Sequence, residues 1–199
     1  MAQIYCVIDC SGSMDPHTDR TISGFNEFLQ SSDPESDISL ITFCDKVKVL
    51  YENIKVKNAP QLDKKQYKAA GCTALLDGIG HAIDLANKYT SKSWADDEKT
   101  ITILIMTDGE ENSSTKYKKK DILESIEKNK KDGWNFIFMG ANQDAIKAAS
   151  EFSIDEGQSL TFTPNNIDTA FRSASCAINR NRRGQTVHFT QTERDSSNC

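Results

Sequence analysis

Two aspartates and three hydroxyls stand in three short segments far apart in the chain: Asp9-Cys10-Ser11-Gly12-Ser13, Gly71-Cys72-Thr73 and Thr107-Asp108-Gly109. Asp9, Ser11, Ser13, Thr73 and Asp108 together form an all-oxygen donor set. Hard divalent cations take oxygen, whereas softer metals favour imidazole or thiolate. Magnesium is the natural candidate, with manganese or calcium as possible replacements. The two carboxylates neutralise a dication, and the neutral hydroxyls donate weakly and leave it electrophilic. A near-octahedral ion held this way can exchange a water for a carboxylate oxygen from a partner's Asp or Glu. The expected chemistry is capture of an acidic side chain, not catalysis. Any one segment alone reads as well as a capped or tight turn, so the reading rests on the conjunction of three.

Rival chemistries lack their parts. Ser11 and Ser13 have no Gly-x-Ser-x-Gly elbow, and His17, His81 and His188 show no placement as a base, so a metal-dependent hydrolase is the weaker reading. Aspartyl phosphotransfer from Asp9 would want a carboxylate two residues on, where Ser11 stands. Neither glycine-rich nucleotide fingerprint is present. An RNA-binding module would use Lys116, Lys118, Lys119 and Lys120, or Arg180, Arg182 and Arg183. Without interleaved aromatics these runs read as solvated faces, and a net charge of -5 disfavours a phosphate backbone as partner. Glu110 and Glu111 read as solvated neighbours of the site.

The elements that must position the three segments follow from apolar patterning. Gln3 to Asp9, Ile38 to Cys44, Thr100 to Thr107, Trp134 to Gly140 and Ser159 to Phe162 are strand-length runs, mostly apolar on both faces. Lys46 to Val56 alternates loosely and follows a connection too short for a crossover, which predicts an antiparallel edge strand. Helical spacing marks Asp19 to Ser31, Leu76 to Tyr89, a segment carrying Ile122, Leu123 and Ile126 and ending at Gly133, then Asn142 to Phe152 and Asn166 to Asn181. Gly78 and Gly80 weaken the second of these. The alternation predicts an α/β fold: a doubly wound, mostly parallel six-stranded sheet with one antiparallel edge strand and helices on both faces. The three oxygen-rich segments then fall at the carboxyl ends of strands or at a helix start, where ligands of such sheets bind.

At 199 residues with 37% hydrophobic content the chain suits one domain, expected over residues 1–181, with 182–199 a polar tail or short added strand. The longest apolar run near a membrane-span candidate, Ile101 to Met106, is only strand length, so no membrane span is expected. The strand at Gln3 leaves no room for a signal peptide, which predicts a cytoplasmic chain with reduced thiols and gives the Asn112 sequon no weight.

In order and in wording, Asp9-Cys10-Ser11-Gly12-Ser13, Thr73 within Gly-Cys-Thr-Ala-Leu and Asp108 within Thr-Asp-Gly resemble the metal-ion-dependent adhesion site of von Willebrand factor type A domains. The resemblance covers about residues 3 to 181 and implies that family's Rossmann-like fold. It further implies that Ser11, Ser13 and Thr73 contact the metal directly or nearly so, that Asp9 and Asp108 often act through waters, and that the partner is a protein, here unidentified, supplying an acidic side chain. The chain most resembles small stand-alone bacterial or phage members. Cys10 and Cys72 occupy variable positions of the motifs and leave open an oxidation-sensitive site.

Overall fold

The run AQIYCVID is buried at every position and forms β1 (Ala2–Asp9). In the computed structural model, which describes residues 2–90, 100–141, 145–181 and 184–198, the sheet grows outward from this strand. Its other strands are β2 (Asp37–Phe43), β3 (Val47–Lys55), β4 (Thr100–Thr107), β5 (Asn135–Ala141) and β6 (Ser159–Phe162). Their order is β3-β2-β1-β4-β5-β6; β3 runs antiparallel to β2 and every other pairing is parallel. The helices are α1 (Thr18–Ser31), α2 (Leu75–Thr90), α3 (Lys119–Lys131), α4 (Ala145–Ser150), α5 (Ile167–Asn181) and α6 (Gln191–Asn198). Among the described residues no helix is long and apolar enough to cross a membrane.

Strand parity divides the core into two layers, because successive side chains point to opposite faces. Ile4, Cys6, Ile8, Leu40, Leu104 and Met139 pack with Phe25 and Phe28 of α1 and Phe171 of α5. Tyr5, Val7, Phe43, Ile103 and Phe138 pack with α2, α3 and α4 through residues such as Ile79, Ile122 and Ala149. The sheet is therefore doubly wound with one antiparallel edge strand, as the run lengths predict. The glycines that weaken α2 as an isolated helix let it sit close: a Cβ on Gly78 would meet the Phe43 ring at 3.0 Å, and one on Gly80 the Tyr117 ring at 2.6 Å.

One expectation is corrected. Residues 184–198 are neither a loose tail nor an added strand. Val187 and Phe189 are buried in the α1/α5 layer, Phe189 N–H donates to the Gly157 carbonyl at 2.8 Å, and α6 follows. Arg194 donates to the Ser159 and Glu156 carbonyls, and Arg180 grips Glu193 with two bonds of 2.8 Å. A polar helix without an apolar stripe forms here because charged side chains, not burial of its own face, hold it.

The strand order reverses direction at β1 and β4. The chain leaves β1 toward β2 on one side and returns to β4 on the other, which opens a crevice at their carboxyl ends. Asp9 closes β1 and Asp108 directly follows β4.

Candidate metal centre

Asp9 is fully buried and ties the crevice together. Its Oδ1 accepts the Ser11 N–H at 2.7 Å and its Oδ2 the Thr107 hydroxyl at 2.6 Å, so one carboxylate joins the ends of β1 and β4. The Tyr67 phenol donates to the Asp9 carbonyl at 2.6 Å. Burial lifts the Asp9 carboxyl above the ordinary aspartate range, against the pull of the Thr107 and Ser11 bonds, and the charge of Asp108 lifts it further. The strongest influences on this carboxylate are thus burial, neutral donors and a second carboxylate, a setting that fits an added cation.

Ser11 and Ser13 lie on the loop after β1, whose Gly12 N–H donates to the Gly71 carbonyl at 3.0 Å. The two hydroxyl oxygens stand 3.1 Å apart, and Ser13 Oγ donates to Asp108 Oδ1 at 2.7 Å. Ser11 is buried and Ser13 exposed, so the cluster opens to solvent on the Ser13 side.

Thr73 arrives from the loop before α2. Asn112 clamps its backbone from both sides: Thr73 N–H donates to Asn112 Oδ1 at 2.8 Å, and Asn112 N–H donates to the Thr73 carbonyl at 3.0 Å. The Thr73 hydroxyl faces the loop after β4, since a Cβ on Gly109 would lie 3.4 Å from its Oγ1. Gly71 takes a left-handed φ of 78° with the Asp45 carboxylate against it, and that carboxylate accepts the Cys72 N–H at 2.7 Å. All five residues singled out in the sequence therefore converge on one crevice.

Several positioning residues escape sequence reasoning. Glu111, read above as solvated, accepts four hydrogen bonds of 2.7–2.9 Å, from Ser113 and Ser114 N–H, the Ser114 hydroxyl and Leu76 N–H. It fastens the loop after β4 to the first turn of α2, where backbone donors lack helical partners. Asp77 does the reverse, accepting the N–H groups of Thr115, Lys116 and Tyr117 at 3.0 Å. Only the sequon drew notice to Asn112, for a different reason. Three lysines of the run sit in surface ion pairs: Lys116 with Asp84, Lys119 with Glu151 and Lys120 with Glu124. Arg182 and Arg183 lie outside the described residues.

The donor chemistry fits a hard dication and not a soft one. Among the described residues there is no cluster of three or more His, Cys, Asp or Glu side chains; the oxygens gathered here are two carboxylates and three hydroxyls. Beside Gly109 a cavity of about 490 Å³ is lined by Leu75, Phe138 and Phe152 together with Glu110, Glu111 and Lys119.

The sequence matches the von Willebrand factor type A domain over residues 3–174. Proximal thread matrix protein 1 from the mussel byssus superposes with a TM-score of 0.64 at 16% identity over 87% of this chain and 45% of its own. A form of the same protein with a zinc-occupied MIDAS motif gives 0.61 at 14% identity, covering 87% and 44%. The vWF domain of the type V pili tip protein Mfa5 from Porphyromonas gingivalis gives 0.66 at 13% identity, covering 90% and 95%. This chain spans about half the length of the mussel protein. None of the curated proteins matches the sequence significantly.

Proposed function

The chain belongs to the von Willebrand factor type A domain family, and from that premise we propose that it is a non-enzymatic, cytoplasmic module that binds an acidic side chain of a protein partner through a divalent metal, magnesium in the first instance. The observation that carries the reading is the convergence of Asp9, Ser11, Ser13, Thr73 and Asp108 at the β1/β4 crevice. Ser11, Ser13 and Thr73 would hold the ion, with Asp9 and Asp108 orienting its waters. When bound, the dication supplies a positive centre to which a partner carboxylate can add.

The chain's own residues perform the remaining work. Thr107 and Ser11 fix the Asp9 carboxylate in one orientation, so it does not reorganise on loading. Asn112 and Glu111 hold Thr73 and the start of α2 to the loop that carries Asp108. The exposed edge at Ser13 leaves an approach for a bulky partner, and the neighbouring cavity has room for residues that flank its acid. The zinc held at the adhesion motif of the mussel relative supports metal binding in this family, and zinc is one of the ions to be tried.

Thermal unfolding in magnesium and in chelator tests the proposal. At a magnesium concentration of 100 times the dissociation constant, binding to the folded state adds about 2.7 kcal/mol, which raises the melting midpoint of a chain this size by roughly 5–11 °C. Asp108→Ala, at a half-exposed position, should fold and lose that rise. Midpoints for the unaltered chain in magnesium, manganese, calcium and zinc that all equal its midpoint in chelator would overturn the metal reading. For the partner, capture should be abolished by chelator and by Asp108→Ala. Capture that ignores chelator and falls steeply with salt would favour the nucleic-acid alternative.

A further inference from the structure

Two of the chain's free thiols stand side by side at the mouth of the crevice. β1 and β2 pair in parallel with Asp9 opposite Phe43, and the ladder continues one step further because Cys10 N–H donates to the Phe43 carbonyl at 2.8 Å. Cys10 is therefore the register partner of Cys44. Parity puts both side chains on the same face: Ile4, Cys6, Ile8 and Cys10 of one strand share the α1/α5 layer with Ile38, Leu40 and Cys44 of the other. Adjacent strands are about 4.8 Å apart, inside the roughly 4.4–6.8 Å that a disulfide spans between Cα atoms. Burial raises the Cys10 thiol above its ordinary range, and the neighbouring Cys44 thiol raises it further.

We propose that Cys10 and Cys44 are an oxidisable dithiol that closes to an intramolecular disulfide when the protein meets hydrogen peroxide. Cys10 is buried, Cys44 is half-exposed, and both are unpaired in the reduced protein. Peroxide reaches Cys44 first. The Cys44 sulfur takes a hydroxyl group as the O–O bond breaks, and the other oxygen leaves with the thiol proton as water. The Cys10 sulfur then attacks the Cys44 sulfur; the S–S bond forms, the S–O bond breaks, and hydroxide departs with the Cys10 proton as a second water. Two electrons pass from the sulfurs to peroxide, and no other reactant is needed. The Cys44 thiol makes a 4.0 Å contact with the Lys46 carbonyl and lies beside the Cys10 thiol in the same layer.

The bond would tie two arms of the crevice together. Cys10 sits between Asp9 and Ser11, and the Cys44 carbonyl accepts the N–H of Ala74, next to Thr73. Cys72, although exposed on the neighbouring loop, belongs to neither ladder.

Peptide mass mapping of the full chain, unreduced after peroxide and again after dithiothreitol, tests the proposal. The expected product is a cross-linked pair of peptides carrying Cys10 and Cys44, lighter by two hydrogens and reopened by the reductant. Cys72→Ser should still form it; Cys44→Ser should not, and that half-exposed position tolerates serine should Cys10→Ser fail to fold. A Cys44–Cys72 link, or Cys44 carried on to sulfinic acid with Cys10 unmodified, would overturn it. The readout is made without metal, so it stands apart from the fate of the metal reading.

Discussion

At the scale of single residues, the site is a set of small polar groups whose positions are fixed by other small polar groups. Thr107 shows this most clearly. Its hydroxyl is one of the donors to a fully buried carboxylate, and a buried charge that loses a partner pays its desolvation without return. Thr107→Val, which keeps the shape, should therefore cost about 1.5–3 kcal/mol in denaturant unfolding. A cost within experimental error would mean that Asp9 is not anchored as described. Glu111→Ala strips one donor of the α2 first turn of its partner and frees the loop after β4. By analogy with helix caps it should lose about 0.5–2 kcal/mol by the same measurement. That Asp9, Ser11, Ser13, Thr73 and Asp108 meet at one crevice was legible in the sequence because each lies in a short motif at a strand end or helix start. Glu111, Asn112 and Asp45 were not, because their roles depend on which loops meet in space, and nothing in their local spacing distinguishes them from solvated polar residues.

At the scale of elements, the strands announced themselves by continuous apolar runs, since a strand covered on both faces needs no polar side. The antiparallel edge was legible for a different reason: the connection from β2 to β3 is too short to allow a parallel return. Helix packing was less legible. Gly24 lies in α1 within an otherwise helical pattern and looks like a simple weakness, yet a Cβ there would come to 3.0 Å from the Asp168 Cα and 2.8 Å from the Phe171 ring of α5. The two helices approach through that glycine. Gly24→Ala should destabilise by roughly 1–3 kcal/mol even though alanine is the better helix former, because the obstructing atoms include backbone. Stabilisation in equilibrium unfolding would show that the α1/α5 contact is looser than drawn. The helix α6 was invisible because its holding contacts, Arg180 with Glu193 and Arg194 with the β6 edge, join residues whose charges say nothing of their partners.

At the scale of the whole molecule, the sheet brings Asp9, Thr73 and Asp108, 35 to 99 residues apart in the chain, to one crevice, and α6 and the residues before it secure the α1/α5 layer of the core. Glu193 makes that closure pH-sensitive. Burial raises its carboxyl, but the Arg180 guanidinium and the Thr190 N–H and hydroxyl outweigh this and hold it below the ordinary glutamate range. A depressed carboxyl stabilises the folded state fully above its unfolded value and loses that contribution as pH falls through the lower folded value. Glu193→Gln should therefore reduce stability at neutral pH and flatten the acid limb of the stability profile; an unchanged acid limb would exclude Glu193 from it. The central claim, that the crevice is a seat for a hard cation, is tested most directly by a high-resolution crystal structure grown in millimolar magnesium. The account predicts one octahedral ion with oxygens at about 2.0–2.1 Å, including hydroxyls of Ser11, Ser13 and Thr73, with Asp9 and Asp108 bonded to it or to its waters. A crevice without an ion, in which Ser13 still donates to Asp108 and Ser11 still neighbours Ser13, would contradict it.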